Sequence, residues 1–227
     1  MSAGAANGAR LKALNAKNLA VRQFGMNRLI LASGSPRRVQ LLREANFDPE
    51  VVRPEVSELS CDFLTASELT RFNARLKAAA VAAQFPNSVV LGADTVVALG
   101  LEVFGKPQDL DDAHRMLQKL VGKTHEVITG IAMIEAKAAR LTLRTVSSTV
   151  TFRSLTTGEI EEYLKAVNPL DKAGSYAAQE SANAIIERID GSFTNVVGLP
   201  MELVRPLLRS AGIRPYRDPI GGLPVDG

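Results

Sequence analysis

Apolar positions along this chain follow two patterns: short solid runs, and longer stretches with an apolar residue every three or four positions. The first pattern predicts buried strands and the second amphipathic helices, so their alternation predicts a mixed α/β fold. Leu29-Ile30-Leu31-Ala32 is the first solid run. It breaks at Ser33-Gly34-Ser35, and a helix opens with Ser35 as N-cap and Pro36 in the first turn, where a missing N–H is harmless. Glu50 to Val56 alternates loosely and predicts a short strand, placed at an edge by Pro54. After a polar loop, Thr65 and Glu68 form a capping box for a long helix. Its expected inward face carries Leu69, Phe72, Leu76, Ala79, Ala80 and Ala83. Lys77 lies one step off that stripe, where spacing alone predicts a snorkelling surface lysine.

Ser88 to Leu99 is the most informative run. Two apolar half-strands flank Gly92-Ala93-Asp94-Thr95, which predicts a strand buried on both faces. A carboxylate in such a strand is costly unless it is paired, bound to metal or chemically active. Asp94 is therefore the leading catalytic candidate. Gly100 predicts a tight hairpin into Leu101–Phe104, and Gly105-Lys106-Pro107 fixes a lysine at its end. A helix over Asp109–Val121 stops at Gly122. Strands over His125–Met133 and Leu141–Phe152 form an antiparallel pair, with Val146, Ser148, Val150 and Phe152 on one face. A second capping box, Thr156 to Glu159, opens another helix. Asn168 to Glu180 is a loop carrying Asp171, Lys172 and Gln179. A strand over Ala184–Ile189 and a last helix after Pro200, kinked near Pro206, complete the pattern.

Arg37 and Arg38 change the picture at the first helix. A helix N-terminus is already partly positive, so two guanidiniums there call for an anion. Strand, small-residue turn, helix start and paired arginines together make a phosphate cradle. The whole chain has 227 residues, 46% hydrophobic, enough for one packed domain or two lobes around a cleft. Its net charge of +3 has both signs interspersed, which favours polyanionic small molecules. It has no Trp and no basic run interleaved with aromatics, so it shows no nucleic-acid-binding motif. One cysteine, Cys61, allows no internal disulfide and fits a reducing compartment. No apolar run approaches the ~20 residues of a membrane span, and no secretory signal is present. His114 and His125 are not spaced as metal ligands and are expected to be non-catalytic. Residues 1–26 are Ala-rich, with Arg10, Lys12, Lys17 and Arg22 and no acidic residue. That composition overlaps with an organellar transit peptide. Because the first strand follows Met26 at once, a loosely ordered extension before a working start at Met26 is favoured. The domain itself is expected over 27–213, with a frayed tail over 214–227.

Five motifs then occur in order: SGSPRR (Ser33–Arg38), GADT (Gly92–Thr95), GKP (Gly105–Pro107), DKAG (Asp171–Gly174) and NVVGLP (Asn195–Pro200). In these the chain resembles the Maf family of nucleoside triphosphate pyrophosphatases, over about Met26 to Ala211. The resemblance implies an inosine triphosphate pyrophosphatase-like fold, with an elongated mixed sheet, flanking helices and two lobes around a cleft. It implies cytoplasmic hydrolysis of a nucleoside triphosphate to its monophosphate and pyrophosphate, with Mg²⁺ or Mn²⁺, by a homodimer; the composition adds the expectation that neither nucleic acid nor membrane is a partner. Asp94 matches the family's proton acceptor. Ser33, Arg37 and Arg38 match its phosphate-binding turn. Lys77 falls on its Lys-Ala position, against the surface role that spacing suggests, and Lys106 on its Gly-Lys-Pro lysine. Arg37, Thr95 and Gln179 match the residues that mark the dTTP/UTP subgroup. Two departures stand out: Ser57-Glu58 replaces the usual acidic pair, so that Glu58, Glu55 or a water takes the place of the first acid, and Glu180 follows Gln179 where glycine is usual.

The expected reaction is metal-assisted attack of water on the α-phosphorus. Asp94 takes the proton, and Glu58 and Asp94 share the cation. Arg37, Arg38, Lys77 and Lys106 neutralise the phosphates, and Thr95 and Gln179 read the base. Two alternatives remain: a broad-specificity enzyme acting on modified nucleotides, and a nucleotide-sensing regulator of cell division without turnover. Burial of Asp94 near phosphates favours an enzyme over a sensor.

Overall fold

A computed structural model describes residues 28–61, 63–179 and 182–216. The expected N-terminal extension, Glu180 and residues 217–227 of the expected tail lie outside the described residues. The described chain runs β1 (Arg28–Ala32), α1 (Pro36–Glu44), β2 (Glu50–Val52), α2 (Ala66–Ala82), β3 (Ser88–Leu99), β4 (Glu102–Phe104) and α3 (Leu110–Leu120). It continues through β5 (Thr124–Glu135), β6 (Arg140–Phe152), α4 (Thr157–Ala166), α5 (Ala182–Ile185), β7 (Ile186–Asp190), α6 (Phe193–Val197) and α7 (Met201–Ser210).

The seven strands form one mixed sheet in the order β2-β1-β3-β5-β6-β7, with β4 paired to β3 off that path. β1 runs parallel to β2 and β3, and the remaining pairs are antiparallel. Alternation along β1 sorts the core. Leu29 and Leu31 face the larger apolar cluster with α1, while Ile30 and Ala32 face a smaller one with α2. The GADT run does not interrupt its strand: β3 is continuous over twelve residues.

Four expectations need correction. The inward face of α2 is Leu69, Thr70, Asn73, Ala74, Lys77, Ala78, Val81 and Ala82, whereas Phe72 is exposed. The helix is turned this way because it lies against two glycines. A Cβ on Gly92 would sit 2.4 Å from the Ala74 carbonyl, and one on Gly130 would sit 2.3 Å from the Thr70 carbonyl carbon. Only small or slender side chains fit at that distance, so the bulkier Phe72 faces outward. Lys77 is accordingly buried, not a surface lysine. The second strand is only Glu50–Val52, because pairing with β1 stops at Val52, ahead of Pro54. The predicted strand over Ala184–Ile189 begins as the helical turn α5 and becomes β7 at Ile186. There the Ile185 carbonyl accepts from Arg153 N–H instead of joining a regular ladder. No helix among the described residues is long and apolar enough to cross a membrane.

Candidate active site

The site begins as a gap in the sheet. β1 stops pairing with β3 at Gly92, and β4 begins pairing at Val97. Between them, Asp94, Thr95 and Val96 line a cleft of about 800 Å³. Because side chains alternate along a strand, the two central residues point to opposite faces. Asp94 points toward α2, and Thr95 toward α1.

On the α2 face, Lys77 Nζ donates to Asp94 Oδ1 at 2.6 Å and contacts Glu58 Oε1 at 2.8 Å. One ammonium thus links two carboxylates, and both Lys77 and Asp94 are buried. Asn73 Nδ2 reaches Asp94 Oδ2 only at 3.4 Å. Asn73 also exchanges hydrogen bonds with the Leu59 backbone, at 2.8 and 3.0 Å, and so pins the loop that carries Glu58. Burial alone would push the Glu58 carboxyl up, but the ammonium groups of Lys77 and Lys106 hold it below the usual carboxylate range. Gly92 and Gly130 make the arrangement possible. Gly130 pairs directly with Asp94, and the two glycines let α2 approach closely enough to bring Asn73 and Lys77 to the carboxylate.

On the α1 face, the Arg38 guanidinium fills the gap. Its Nε donates to the Gly198 carbonyl (2.8 Å) and its Nη1 to Ser33 Oγ (3.1 Å) and the Ala93 carbonyl (2.9 Å). Its Nη2 donates to Thr95 Oγ1 (3.0 Å). Burial pushes its pKa down from the ordinary arginine value, opposed by the charge of Asp94. Thr95 Oγ1 also pairs with Thr129 Oγ1 at 2.9 Å. The NVVGLP motif serves this bracket. Asn195 is buried and donates to the Val127 carbonyl and Ser148 Oγ, and Gly198 adopts φ +117 beside Thr95 and Arg38.

The mouth is built by two loops that the sequence separates widely. The Gly174 N–H donates to the Gly105 carbonyl at 3.0 Å, joining the DKAG and GKP motifs. Arg37 Nη1 meets Asp171 Oδ2 at 2.8 Å, and its Nη2 donates to the Asp171 carbonyl at 3.0 Å. Lys172 is buried and donates to Asp171 Oδ1 and the Asn168 carbonyl. Lys106 lines the cleft, and Gln179 stands exposed at its rim.

All nine residues singled out from the sequence, Ser33, Arg37, Arg38, Glu58, Lys77, Asp94, Thr95, Lys106 and Gln179, line this one cleft. Three are engaged differently than expected. The anion that answers Arg37 is the protein's own Asp171, Arg38 is held by protein acceptors, and the Thr95 hydroxyl bonds to Arg38 and Thr129. Asn73, Asp171 and Lys172 were missed as site residues. The available signal for Asn73 was the polar series Thr70, Asn73, Lys77 along one side of a helix. His114 and His125 do not line the cleft. The donor set fits a divalent cation only jointly with a substrate. Glu58 and Asp94 supply hard carboxylate oxygens side by side, but no group of three or more His, Cys, Asp or Glu side chains gathers among the described residues.

A family model described as Maf-like protein matches residues 28–211. Among similar proteins is a dTTP/UTP pyrophosphatase of Bacillus cereus (strain B4264), 45% identical over 183 residues, 80% of this chain and 95% of that protein. The dTTP/UTP pyrophosphatase of Bdellovibrio bacteriovorus is 44% identical over 185 residues, covering 79% of this chain and 96% of its own. That of Acetivibrio thermocellus is 41% identical over 195 residues, covering 83% and 97%.

Proposed function

Because this chain belongs to the Maf family, and its relatives carry the name dTTP/UTP pyrophosphatase, we propose that it hydrolyses dTTP and UTP to the monophosphate and pyrophosphate. The observation that carries the chemistry is Asp94, a buried carboxylate on β3 beyond the end of its pairing with β1, inside a cleft rich in cations. Its Oδ1 is taken by Lys77, while the contact that Asn73 makes to Oδ2 is long, at 3.4 Å. Oδ2 is therefore the atom that accepts the proton of the attacking water. The water oxygen bonds to the α-phosphorus, the bond from that phosphorus to the α–β bridging oxygen breaks, and pyrophosphate departs with the bonding electrons. Lys77 and Lys106 offset the negative charge that the triphosphate brings and that grows on the leaving group. Gln179, at the rim, can pair its amide with the carbonyl and N–H edge of a pyrimidine.

Glu58 and Asp94 are the residues that would hold a divalent cation together with substrate oxygens. When bound, the cation supplies further neutralisation of the triphosphate. The family resemblance also supports, as parts of the same proposal, an inosine triphosphate pyrophosphatase-like two-lobed arrangement, a homodimer and a cytoplasmic setting.

The test is pyrophosphate release from dTTP, UTP, CTP, dATP, GTP and 7-methyl-GTP with Mg²⁺ or Mn²⁺, for the wild type and Asp94→Asn. The expected outcome is turnover of dTTP and UTP that falls about a thousandfold or more in the variant. A preference for 7-methyl-GTP would overturn the base assignment. Nucleotide binding without turnover of any substrate would replace the enzyme by a sensor.

A further inference from the structure

Six basic side chains line the cleft: Arg37, Arg38, Arg53, Lys77, Lys106 and Lys172. Four of them are engaged by the protein itself. Arg37 and Lys172 hold Asp171, Lys77 holds Asp94 and Glu58, and Arg38 is bonded to three elements of the fold. Lys106 belongs to a motif already assigned. Arg53 belongs to none of the five motifs and is unexplained by anything above.

Its position is specific. Arg53 follows β2, whose pairing with β1 brings the ends of both strands to the same end of the sheet. Its stem and Nε lie over Gly34. A Cβ built on that glycine would be 3.4 Å from Arg53 Nε and 3.5 Å from its Cγ. The side chain therefore crosses the Ser33-Gly34-Ser35 turn, at the mouth of the cleft. It is exposed, and among the described residues its guanidinium makes no hydrogen bond or ion pair. The stem lies against Gly34, and the charged fork has no partner among the described residues. A guanidinium held over the turn of a cleft that takes a polyanion, with no partner among the described residues, is suited to phosphate oxygens, which match its fork geometry.

We propose that Arg53 is a further substrate-binding residue, which takes the phosphate chain of the nucleoside triphosphate above the Ser33–Ser35 turn. It adds to the phosphate-binding set expected from the sequence, Ser33, Arg37, Arg38, Lys77 and Lys106. The proposal rests on the reading of the cleft as a nucleoside triphosphate site. It assigns Arg53 to binding, with no part in proton transfer.

Calorimetric titration with inorganic pyrophosphate, in the presence of Mg²⁺, tests it without requiring turnover. In Arg53→Ala the pyrophosphate Kd is expected to rise about tenfold or more, the loss of a charge-assisted contact. The KM for UTP rises by a similar factor while kcat stays within about threefold, because the interaction is made with bound substrate and transition state alike. Arg53→Lys recovers part of the affinity, since a point charge replaces the fork. An unchanged melting temperature checks the fold, as Arg53 is exposed. A pyrophosphate Kd and a KM within about twofold of wild type in Arg53→Ala would overturn the proposal, as would a wild type that binds no pyrophosphate. The two readings fail separately. Arg53-dependent pyrophosphate binding without turnover of any nucleotide removes the enzyme reading and keeps Arg53 as an anion ligand. Normal UTP turnover that is indifferent to Arg53 removes only this one.

Discussion

Asp94 was legible in the sequence because a carboxylate between apolar half-strands has few inexpensive solutions, and pairing with Lys77 is the one the fold adopts. Asn73 was missed, since the polar series Thr70, Asn73, Lys77 on a long helix resembles an ordinary solvated side until the strand it faces is known. The pair gives a prediction at this scale. In Lys77→Met, Asp94 remains buried without its ammonium and Glu58 loses its partner. Stability in urea should fall by about 3 kcal/mol, as for removal of one partner from a buried ion pair. Pyrophosphate release should fall with it. A loss below about 1 kcal/mol would mean that Lys77 is not what holds the carboxylate. The paired arginines teach the converse lesson. Their types and position led to the expectation of a bound phosphate, and the fold itself offers them Asp171, Gly198 and Ala93.

Among the elements, the helices with capping boxes were found at their starts. Thr65 and Thr156 both accept from the N–H three residues on, and Glu68 and Glu159 answer them. The face that α2 buries was missed because its stripe is small and polar, not large and apolar. Contact with the sheet is made through Ala74 and Ala78 over Gly92, and through Thr70 over Gly130. The second prediction follows from that contact. Gly92→Ala puts a methyl group 2.4 Å from the Ala74 carbonyl oxygen, so α2 must move off the sheet. Stability should fall by about 2 kcal/mol or more, and activity should fall further than stability explains, because Asn73 and Lys77 move with the helix. A variant that keeps wild-type kcat would show that the helix can shift without disturbing Asp94.

The molecule as a whole should respond to acid through His125. This residue sits between Phe152 and Tyr176, with ring centroids at 4.6 and 5.5 Å, and its Nε2 lies 3.0 Å from the Tyr176 hydroxyl. Burial lowers its pKa from 6.5 to about 4. In the unfolded chain it binds a proton below about 6.5, and in the folded chain only below about 4. The unfolded state therefore takes up more protons within that window, and stability falls as pH drops through it. The contribution is fully present above about 6.5, and roughly 3 kcal/mol is lost by pH 4. Urea midpoints measured across this range should slope in the wild type and flatten in His125→Gln. An unchanged slope in the variant would assign the acid sensitivity to other groups. The same cluster lies beside the cleft loop, since Tyr176 lines the cleft and the Ala177 N–H donates to the Tyr163 hydroxyl. Acid loosening of His125 should therefore reach the segment that ends in Gln179.

The sequence by itself determined the alternation of strands and helices, the capped helix starts, the five motifs and the nine residues that meet in one cleft. These are properties of periodicity and residue chemistry, which act locally or leave a recognisable string. Only the tertiary structure decided which charges remain available. Arg37, Arg38 and Thr95 are engaged by partners far along the chain, whereas Arg53, which sits in no motif, has no partner among the described residues and lies above a glycine turn. The reason is physical: whether a guanidinium can receive a ligand depends on the acceptors already within about 3 Å of it. Those acceptors are set by strand order, by the gap between β1 and β4 and by how closely a helix can approach two glycines, and no short stretch of sequence contains them.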